Sequence, residues 1–477
     1  MGAPVESKHL ALIGFMGAGK STLGEEAARR LGRHFVDLDR EVEKHALVSV
    51  SEFFATRGEA EFRAVEHRVA CNALDADEPS VIALGGGALA SEGTRRSLRD
   101  RALTVLLEVD VDDAWQRAST SDRPLAADEA RFRSLYADRR PLYEETADAT
   151  ARDADDVVLA AGGITVRLGA VEELGALVPG QAPLALVADA HVLGIYGALV
   201  QLALGVRLVS THTVPAGGEA KALAVCERLW QELSLERNGL VVALGGGSTT
   251  DVAGFAAATW LRGIAWAAVP TTLVGQVDAA VGGKTGIDLP AGKNLVGSFH
   301  WPARTVIDPA LLETLPDRER RAGLAEAVKT GLLAGEPLWE LPEPELVRRC
   351  AAFKAAVCLR DPREHGERAT LNLGHTFAHA LETASGYTLP HGDAVALGLT
   401  AALRLSGLQE EARTVEELLR PSPAPVDADR AWEVLLRDKK AVDGGPRLVL
   451  LEAPGRPVRG VELPAEDVRA ALESLIA

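Results

Sequence analysis

The chain is poor in cysteine, with 4 in 477 residues, at positions 71, 226, 350 and 358 and without CxxC spacing. A disulfide scaffold is excluded, and the scatter suits structural thiols in a reducing, cytoplasmic setting. Nowhere do about 18 apolar residues run uninterrupted, so no membrane-crossing helix is expected. The first apolar run passes straight into a glycine loop with no cleavage site, and Met1-Gly2 with Ser7 does not fit myristoylation spacing. A basic tail is missing too. Lys plus Arg number 51 against 68 Asp plus Glu, a net charge of −17. Residues 1–160 hold 21 basic against 30 acidic residues, a net of −9, which leaves −8 for the rest. Neither a nucleic-acid surface nor an anionic-membrane surface is expected. Lysine itself is scarce, with 10 among the 51 basic residues. Its ammonium has a tunable pKa that arginine lacks, so each remaining lysine is informative.

What is present is ordinary globular material, 47% apolar and 25% charged, enough for about two to four domains at ~100–200 residues each. KHLALIG, HFVDLD, SVIALGGG and ALTVLLEV read as strands separated by helical patterns, which implies a parallel sheet covered on both faces. Acidic sequence and a Gly pair in ATARDADDVVLAAGG suggest a boundary near 160. ITVRLG, LALVADAHV, LVVALGGGSTTD and IAWAAVPTT then form a second nucleotide-binding-like α/β unit. From about 321 onward Ala, Leu, Glu and Arg recur at helical spacing, so this part is expected to be mostly α-helical.

Gly14-Phe-Met-Gly17-Ala-Gly19-Lys20-Ser21-Thr22 fits GxxxxGK[ST] between a strand and a helix, the context of a phosphate-binding loop. Backbone N–H groups and the helix start stabilise phosphate oxygens, Lys20 reaches the β/γ-phosphates and Ser21 ligates Mg²⁺. Asp37 and Asp39 in DLD end a strand on the acceptor side, and Arg63 in GEAEFR suits a carboxylate. Taken singly, such aspartates are more often caps and such an arginine a surface ion pair. GFMGAGKST, DLD, GEAEFR, LGGG, SDRPL and RRPLY in this order resemble the shikimate kinase family over about 155 residues. The resemblance implies that Asp39, Arg63 and Arg139 bind shikimate beside Gly85, Gly86 and Gly87, with Asp39 catalytic alongside Lys20. It places Asp37 near Mg²⁺ and Arg123 on a lid over ATP, whose closure excludes water. Gly17, Gly19, Lys20, Ser21 and Thr22 would hold the nucleotide. After RRPLY this chain reads ETADATARD where the family often has a further Arg, which leaves the adenine contacts open.

In the second half GGGSTTD ends a strand and opens a helix, which suits a pyrophosphate, with Asp251 near the ribose or nicotinamide. PTTLVGQVDAAVGGKTGID, continued by LPAGKN, is too polar for a plain core and puts Asp278, Lys284, Lys293 and Asn294 in one glycine-rich segment, which suits an anionic, phosphorylated substrate. Glu326 and Lys329 lie one turn apart in AEAVKTG. His375 and His379 are at i, i+4 in LNLGHTFAHALE, and His391 follows in LPHGDAV. A lone histidine is usually a hydrogen-bonded core residue, but one Glu with two or three His suits a catalytic zinc with an open position. Spacing alone picks His375 and His379 as the pair.

GGGSTTDVAGFAAATWLRG, VPTTLVGQVDAAVGGKTGID, GKNLVGSF, LAEAVKTG, LNLGHTFAHALE and LPHGDAVALG resemble the 3-dehydroquinate synthase family from residue 162 to the C-terminus. The resemblance assigns Zn²⁺ or Co²⁺ to Glu326, His375 and His391, and makes His379 a proton-transfer residue. NAD would meet Asp189, Glu219, Lys221, Gly246, Gly247 and Asp251, then Thr271, Thr272, Asp278 and Lys293. GGEAKAL holds Glu219 and Lys221 one residue closer than the usual pattern. Asp278, Lys284, Asn294, Lys354, Arg368, Asn372 and one of Lys439 or Lys440 would meet substrate. Lys284, Lys329 and Arg368 would act in the reaction itself. Arg262 would reach a partner's site in a homodimer formed through this half.

The implied architecture is a P-loop kinase sheet (1–160), a Rossmann-like NAD-binding α/β domain (161–320) and a mostly helical metal and substrate domain (321–477). Its implied activities are ATP-dependent phosphorylation of shikimate and conversion of 3-deoxy-D-arabino-heptulosonate 7-phosphate to 3-dehydroquinate plus phosphate, two non-adjacent steps of aromatic amino acid biosynthesis. The second consumes no NAD, because hydride leaves and returns. Two alternatives share the layout. One fuses a P-loop kinase to a metal-dependent alcohol dehydrogenase, which would accumulate NADH. The other makes one half a regulatory binding module, against which the complete residue sets argue.

Overall fold

The computed structural model describes residues 8–119, 128–437 and 446–477, so Arg123, Lys439 and Lys440 lie outside the described residues. The chain divides into two compact units, one ending at Ile164 and one running from Thr165 to Ala477.

The first unit is built on five parallel strands in the order β2-β3-β1-β4-β5: β1 (His9–Ile13), β2 (Phe35–Asp37), β3 (Val81–Ala83), β4 (Ala102–Leu107) and β5 (Ala149–Ala151). Every residue of central β1 is buried, as a strand covered on both faces requires. β1 feeds the glycine loop, and α1 (Lys20–Leu31) begins directly on Lys20. Asp37 ends β2 and caps α2 (Leu38–Ala46), its carboxylate accepting from the Asp39 and Arg40 amides. GEAEFR lies on α3 (Val50–Leu74), which is broken at Gly58 by a φ of 80°. RRPLY lies on α4 (Glu129–Thr146).

The second unit carries a six-stranded sheet in the order β6-β13-β10-β9-β7-β8: β6 (Ile164–Val166), β7 (Leu184–Asp189), β8 (Leu208–Val214), β9 (Leu240–Gly245), β10 (Ala265–Pro270) and β13 (Arg304–Ile307). β7 to β10 and β13 pair in parallel. α5 (Ala190–Leu204) follows β7, and α6 (Gly247–Thr259) starts immediately past β9. An antiparallel hairpin, β11 (Lys284–Leu289) and β12 (Gly292–Phe299), interrupts the alternation. Beyond it come α7 (Asp317–Ala334), α8 (Glu343–Arg360), α9 (His375–Ala384) and α10 (His391–Leu405). Among the described residues the late region is mostly helical, as expected, with one hairpin, Leu448–Ala453 with Arg456–Val461.

The span Ala190–Arg207, with mean hydropathy 1.3, is long and apolar enough by length and composition to cross a membrane. His191, Tyr196 and Gln201 break the run, so a search for unbroken apolar stretches passes over it. The helix packs Gly197, Val200 and Leu204 inward and leaves Ile195, Leu199 and Leu202 exposed.

Candidate active sites

In the first unit the Lys20 ammonium folds back over the loop, donating to the carbonyls of Gly14 (2.8 Å) and Phe15 (3.0 Å). Gly17 has a φ of 84°, and a methyl group there would lie 2.6 Å from the Ala114 carbonyl oxygen, so the turn demands glycine. Ser21 Oγ donates to Asp37 Oδ2 at 2.6 Å, which brings the expected Mg²⁺ ligand and the nearby carboxylate together. Across from the loop, Asp39 faces Gly85 and Glu66. Arg63 Nη1 donates to Glu66 Oε2 at 2.6 Å, and Arg139 Nη1 to the Gly86 carbonyl at 2.9 Å. Burial pushes the Glu66 carboxyl up, against the pull of Arg63. This pocket thus offers two guanidinium groups and a carboxylate next to a phosphate loop.

Glu66 had gone unremarked in the sequence, though its i+3 spacing from Arg63 on a helix is a usable signal. The adenine side had been left open. Beside the loop a cavity of about 420 Å³ is lined by Gly19, Thr22, Asp110, Asp113, Arg117 and Arg152 among others. Arg152, inside the ETADATARD stretch, therefore stands next to the loop together with Arg117.

In the second unit α7, α9 and α10 converge on one point. Glu326 is 1% exposed, and its Oε1 lies 3.1 Å from His391 Nε2 and 3.5 Å from His375 Nε2. The possible ligand atoms of these three residues all lie within 4.8 Å of one another. Glu326 Oε2 is buried and forms no well-directed hydrogen bond, although Lys329 Nζ lies 2.5 Å away. Burial would raise the Glu326 carboxyl, but Lys329 and the two imidazoles hold it well below the usual range. His379, which spacing alone paired with His375, sits edge-on to it with ring centroids 5.4 Å apart. Burial and the neighbouring His375 lower His379 to about 4. On His391 burial is outweighed by hydrogen bonds to Glu326 and Glu382, which raise it to about 10.

Around this cluster charges alternate. Asp278, on a π turn (Gly275–Ala279), has Lys354 Nζ at 2.9 Å and Lys329 Nζ at 3.6 Å. Lys284 Nζ lies 2.6 Å from Glu364 Oε2, and Asn372 donates to the other Glu364 oxygen at 3.0 Å. Arg368 is 1% exposed and donates to the carbonyls of Gly282 (2.7 Å) and Pro362 (2.9 Å). Glu364, unremarked in the sequence, occupies the left-handed region with a φ of 58°, and nothing in its loop's pattern announces it.

At the dinucleotide side Gly245 has a φ of 156°, and a methyl there would lie 2.6 Å from Thr249 Oγ1. Gly246 and Gly247 then open α6 beside Thr272 and Ala279. Lys221 Nζ donates to Asp251 Oδ2 at 2.7 Å and to Asn294 Oδ1. Asp189 caps α5, while Glu219 is exposed on a 3₁₀ turn. Thr271 is buried with its hydroxyl unpartnered. Lys293 reaches Glu382 at 3.0 Å. Arg262 is exposed, with a φ of 70°.

Comparison with known proteins agrees with both halves. The shikimate kinase family profile matches residues 16–163. The 3-dehydroquinate synthase N-terminal and C-terminal profiles match residues 211–322 and 323–441. A 3-dehydroquinate synthase from Gloeobacter violaceus is 46% identical over 359 residues, covering 69% of this chain and 98% of its own. One from Symbiobacterium thermophilum is 41% identical, covering 65% and 97%. Among solved structures, a 2-epi-5-epi-valiolone synthase from Streptomyces hygroscopicus subsp. jinggangensis, with NAD⁺ and Zn²⁺ bound, aligns at 26% identity. Its TM-score is 0.59 over 65% of this chain and 96% of that one. The chain therefore belongs to the 3-dehydroquinate synthase family, carries a shikimate kinase domain ahead of it, and is a bifunctional enzyme of aromatic biosynthesis.

Proposed function

We propose that residues 1–160, 161–320 and 321–477 act as kinase, dinucleotide-binding and metal/substrate-binding domains. In the first, the γ-phosphoryl of ATP passes to the shikimate 3-hydroxyl. The loop amides from Gly17 to Thr22 hold the phosphates, and Lys20 stabilises the charge that develops on the transferred group. Ser21, beside Asp37, ligates Mg²⁺. Asp39 orients the acceptor hydroxyl, while Arg63 and Arg139 fix its carboxylate next to Gly85, Gly86 and Gly87. Arg117 and Arg152 flank the base. Buried Glu66 holds Arg63 in place through their 2.6 Å contact.

In the other two domains heptulosonate phosphate becomes 3-dehydroquinate and phosphate. The donor set fits a divalent cation such as Zn²⁺ or Co²⁺: two imidazole nitrogens and one buried carboxylate, whose possible ligand atoms all lie within 4.8 Å of one another. When bound, NAD⁺ accepts and returns a hydride and the cation serves as a Lewis acid. Glu326, His375 and His391 grip the cation. Gly246 and Gly247, at the start of α6, receive the pyrophosphate. Asp189, Glu219, Lys221 and Asp251 serve the dinucleotide on one side, and Thr271, Thr272, Asp278 and Lys293 on the other. Lys284, Asn294, Lys354, Arg368 and Asn372, with Lys439 or Lys440, bind phosphate and carboxylate. Lys329 keeps positive charge beside Glu326. His379, edge-on to His375, serves proton transfer in the reaction.

Four cysteines without a disulfide support a cytoplasmic location. A homodimer through the synthase half is supported by Leu261 and Arg262, both left-handed (φ 50° and 70°), which leave the Arg262 side chain exposed past the end of α6.

The observation that carries the synthase reading is the convergence of Glu326, His375 and His391. Metal-stripped protein given heptulosonate phosphate and NAD⁺ is expected to release phosphate only after Zn²⁺ or Co²⁺ is restored, with no net NADH. Full phosphate release without metal, or stoichiometric NADH, would overturn it.

A further inference from the structure

The two histidines that face Glu326 are held differently at their second nitrogens. His375 Nδ1 lies 3.2 Å from the Leu373 carbonyl, two residues before it on the chain. His391 begins α10, and its Nδ1 lies 3.5 Å from Glu382 Oε1, which belongs to α9. Glu382 is 4% exposed, a costly place for a carboxylate unless it is paired. The same Oε1 accepts from Lys293 Nζ at 3.0 Å. That ammonium also lies 4.4 Å from the Tyr387 ring centroid, so the β12 hairpin is clamped against the end of α9.

A neutral imidazole carries one N–H. If His391 Nε2 is to offer its lone pair towards Glu326 and a cation, the proton must sit on Nδ1 and needs an acceptor. Within the cluster Glu382 stands at that nitrogen. We propose that Glu382 is a positioning residue of the synthase site, orienting His391 through Nδ1 and tying it, through Lys293, to the hairpin on the dinucleotide side. The inference rests on the metal-site reading above. It goes beyond it by assigning a role to a residue that touches neither cation nor substrate.

The test is cation binding by the full chain, not turnover. Metal-stripped wild type, His391→Ala, Glu382→Gln and Glu382→Ala are titrated with Zn²⁺ against a competing chelator and with Co²⁺ followed by its visible absorption. His391→Ala tests the metal reading itself: it should lose the site, and binding equal to wild type overturns that reading and this inference with it. Given a site in wild type, Glu382→Ala should bind Zn²⁺ about 10–100-fold more weakly and change the Co²⁺ spectrum. Glu382→Gln keeps an oxygen acceptor and should recover part of the loss. It also stands in should the alanine variant fail to fold. Shikimate phosphorylation should be unchanged in both Glu382 variants. Zn²⁺ affinity within about 2-fold of wild type, with an unaltered Co²⁺ spectrum, in folded Glu382→Gln and Glu382→Ala would overturn the proposal while leaving the metal site standing.

Discussion

Glu326 is a carboxylate almost fully removed from water, and its neighbours rather than solvent decide its charge. Neutralising it leaves Lys329 only the more distant Asp278 at 3.6 Å, and breaking a buried pair costs up to ~3–5 kcal/mol. Glu326→Gln is accordingly expected to lose bound metal, read by elemental analysis, and to lower the melting temperature. A pH effect follows from Glu364. Burial would raise its carboxyl, but the hydrogen bond and charge of Lys284 hold it below the usual range. A group depressed on folding stabilises the fold above its ordinary pKa and loses that contribution as pH falls through the lowered one. Glu364→Gln should therefore lower the melting temperature most at and above neutrality, converge with wild type at acid pH, and so flatten the acid limb of the profile. Cys226 and Cys350 are buried and pushed up to about 12, and Cys358 is buried and raised. Maleimide on the folded protein should label Cys71 alone, as mass spectrometry of the digest would show. Single residues were unevenly legible. The Glu and His of AEAVKTG, LNLGHTFAHALE and LPHGDAV stand out as residue types that bind metals. Spacing pointed to His379, whereas the fold brings His391, from the next helix, to Glu326. Glu66, Glu364 and Arg152 escaped notice because their meaning lies in partners from elsewhere in the chain.

At the level of elements, the strands that carry glycine loops were the easiest to read. β9, and β1 apart from His9, are apolar, and both are wholly buried, which parallel strands covered on both faces produce. Each runs into a turn holding a glycine, Gly17 or Gly245, at which a side chain would clash. Gly17→Ala is expected to abolish measurable ATP binding in a fluorescence titration, because the methyl would press on the Ala114 carbonyl at a φ of 84°. Gly245→Ala should weaken NAD⁺ binding in the same assay without affecting ATP. The β11–β12 hairpin was not foreseen. Most of β12 is exposed, so no buried face imposes an alternating pattern on it.

For the whole molecule, two units with separate sheets imply separable failures. Lys20→Met should abolish shikimate phosphorylation and spare phosphate release from the heptulosonate. Glu326→Gln should do the reverse, and loss of both activities from either change would contradict independent sites. The acidic stretch and glycine pair suggest a boundary near residue 160, and the chain divides into its two compact units after Ile164. Less readable was how little chain separates the sheets: β5 ends at Ala151, one helix follows (Ala154–Ala161), and β6 starts at Ile164. A shortened protein meant to carry the synthase alone must begin ahead of Ile164 to keep that strand. The lysines carry another consequence. Six of ten, Lys20, Lys221, Lys284, Lys293, Lys329 and Lys354, are gathered at the two centres. An amine-directed acylating reagent therefore meets few bystanders on this arginine-rich surface, and its peptide-by-peptide mass shifts become a direct gauge of which centre is occupied.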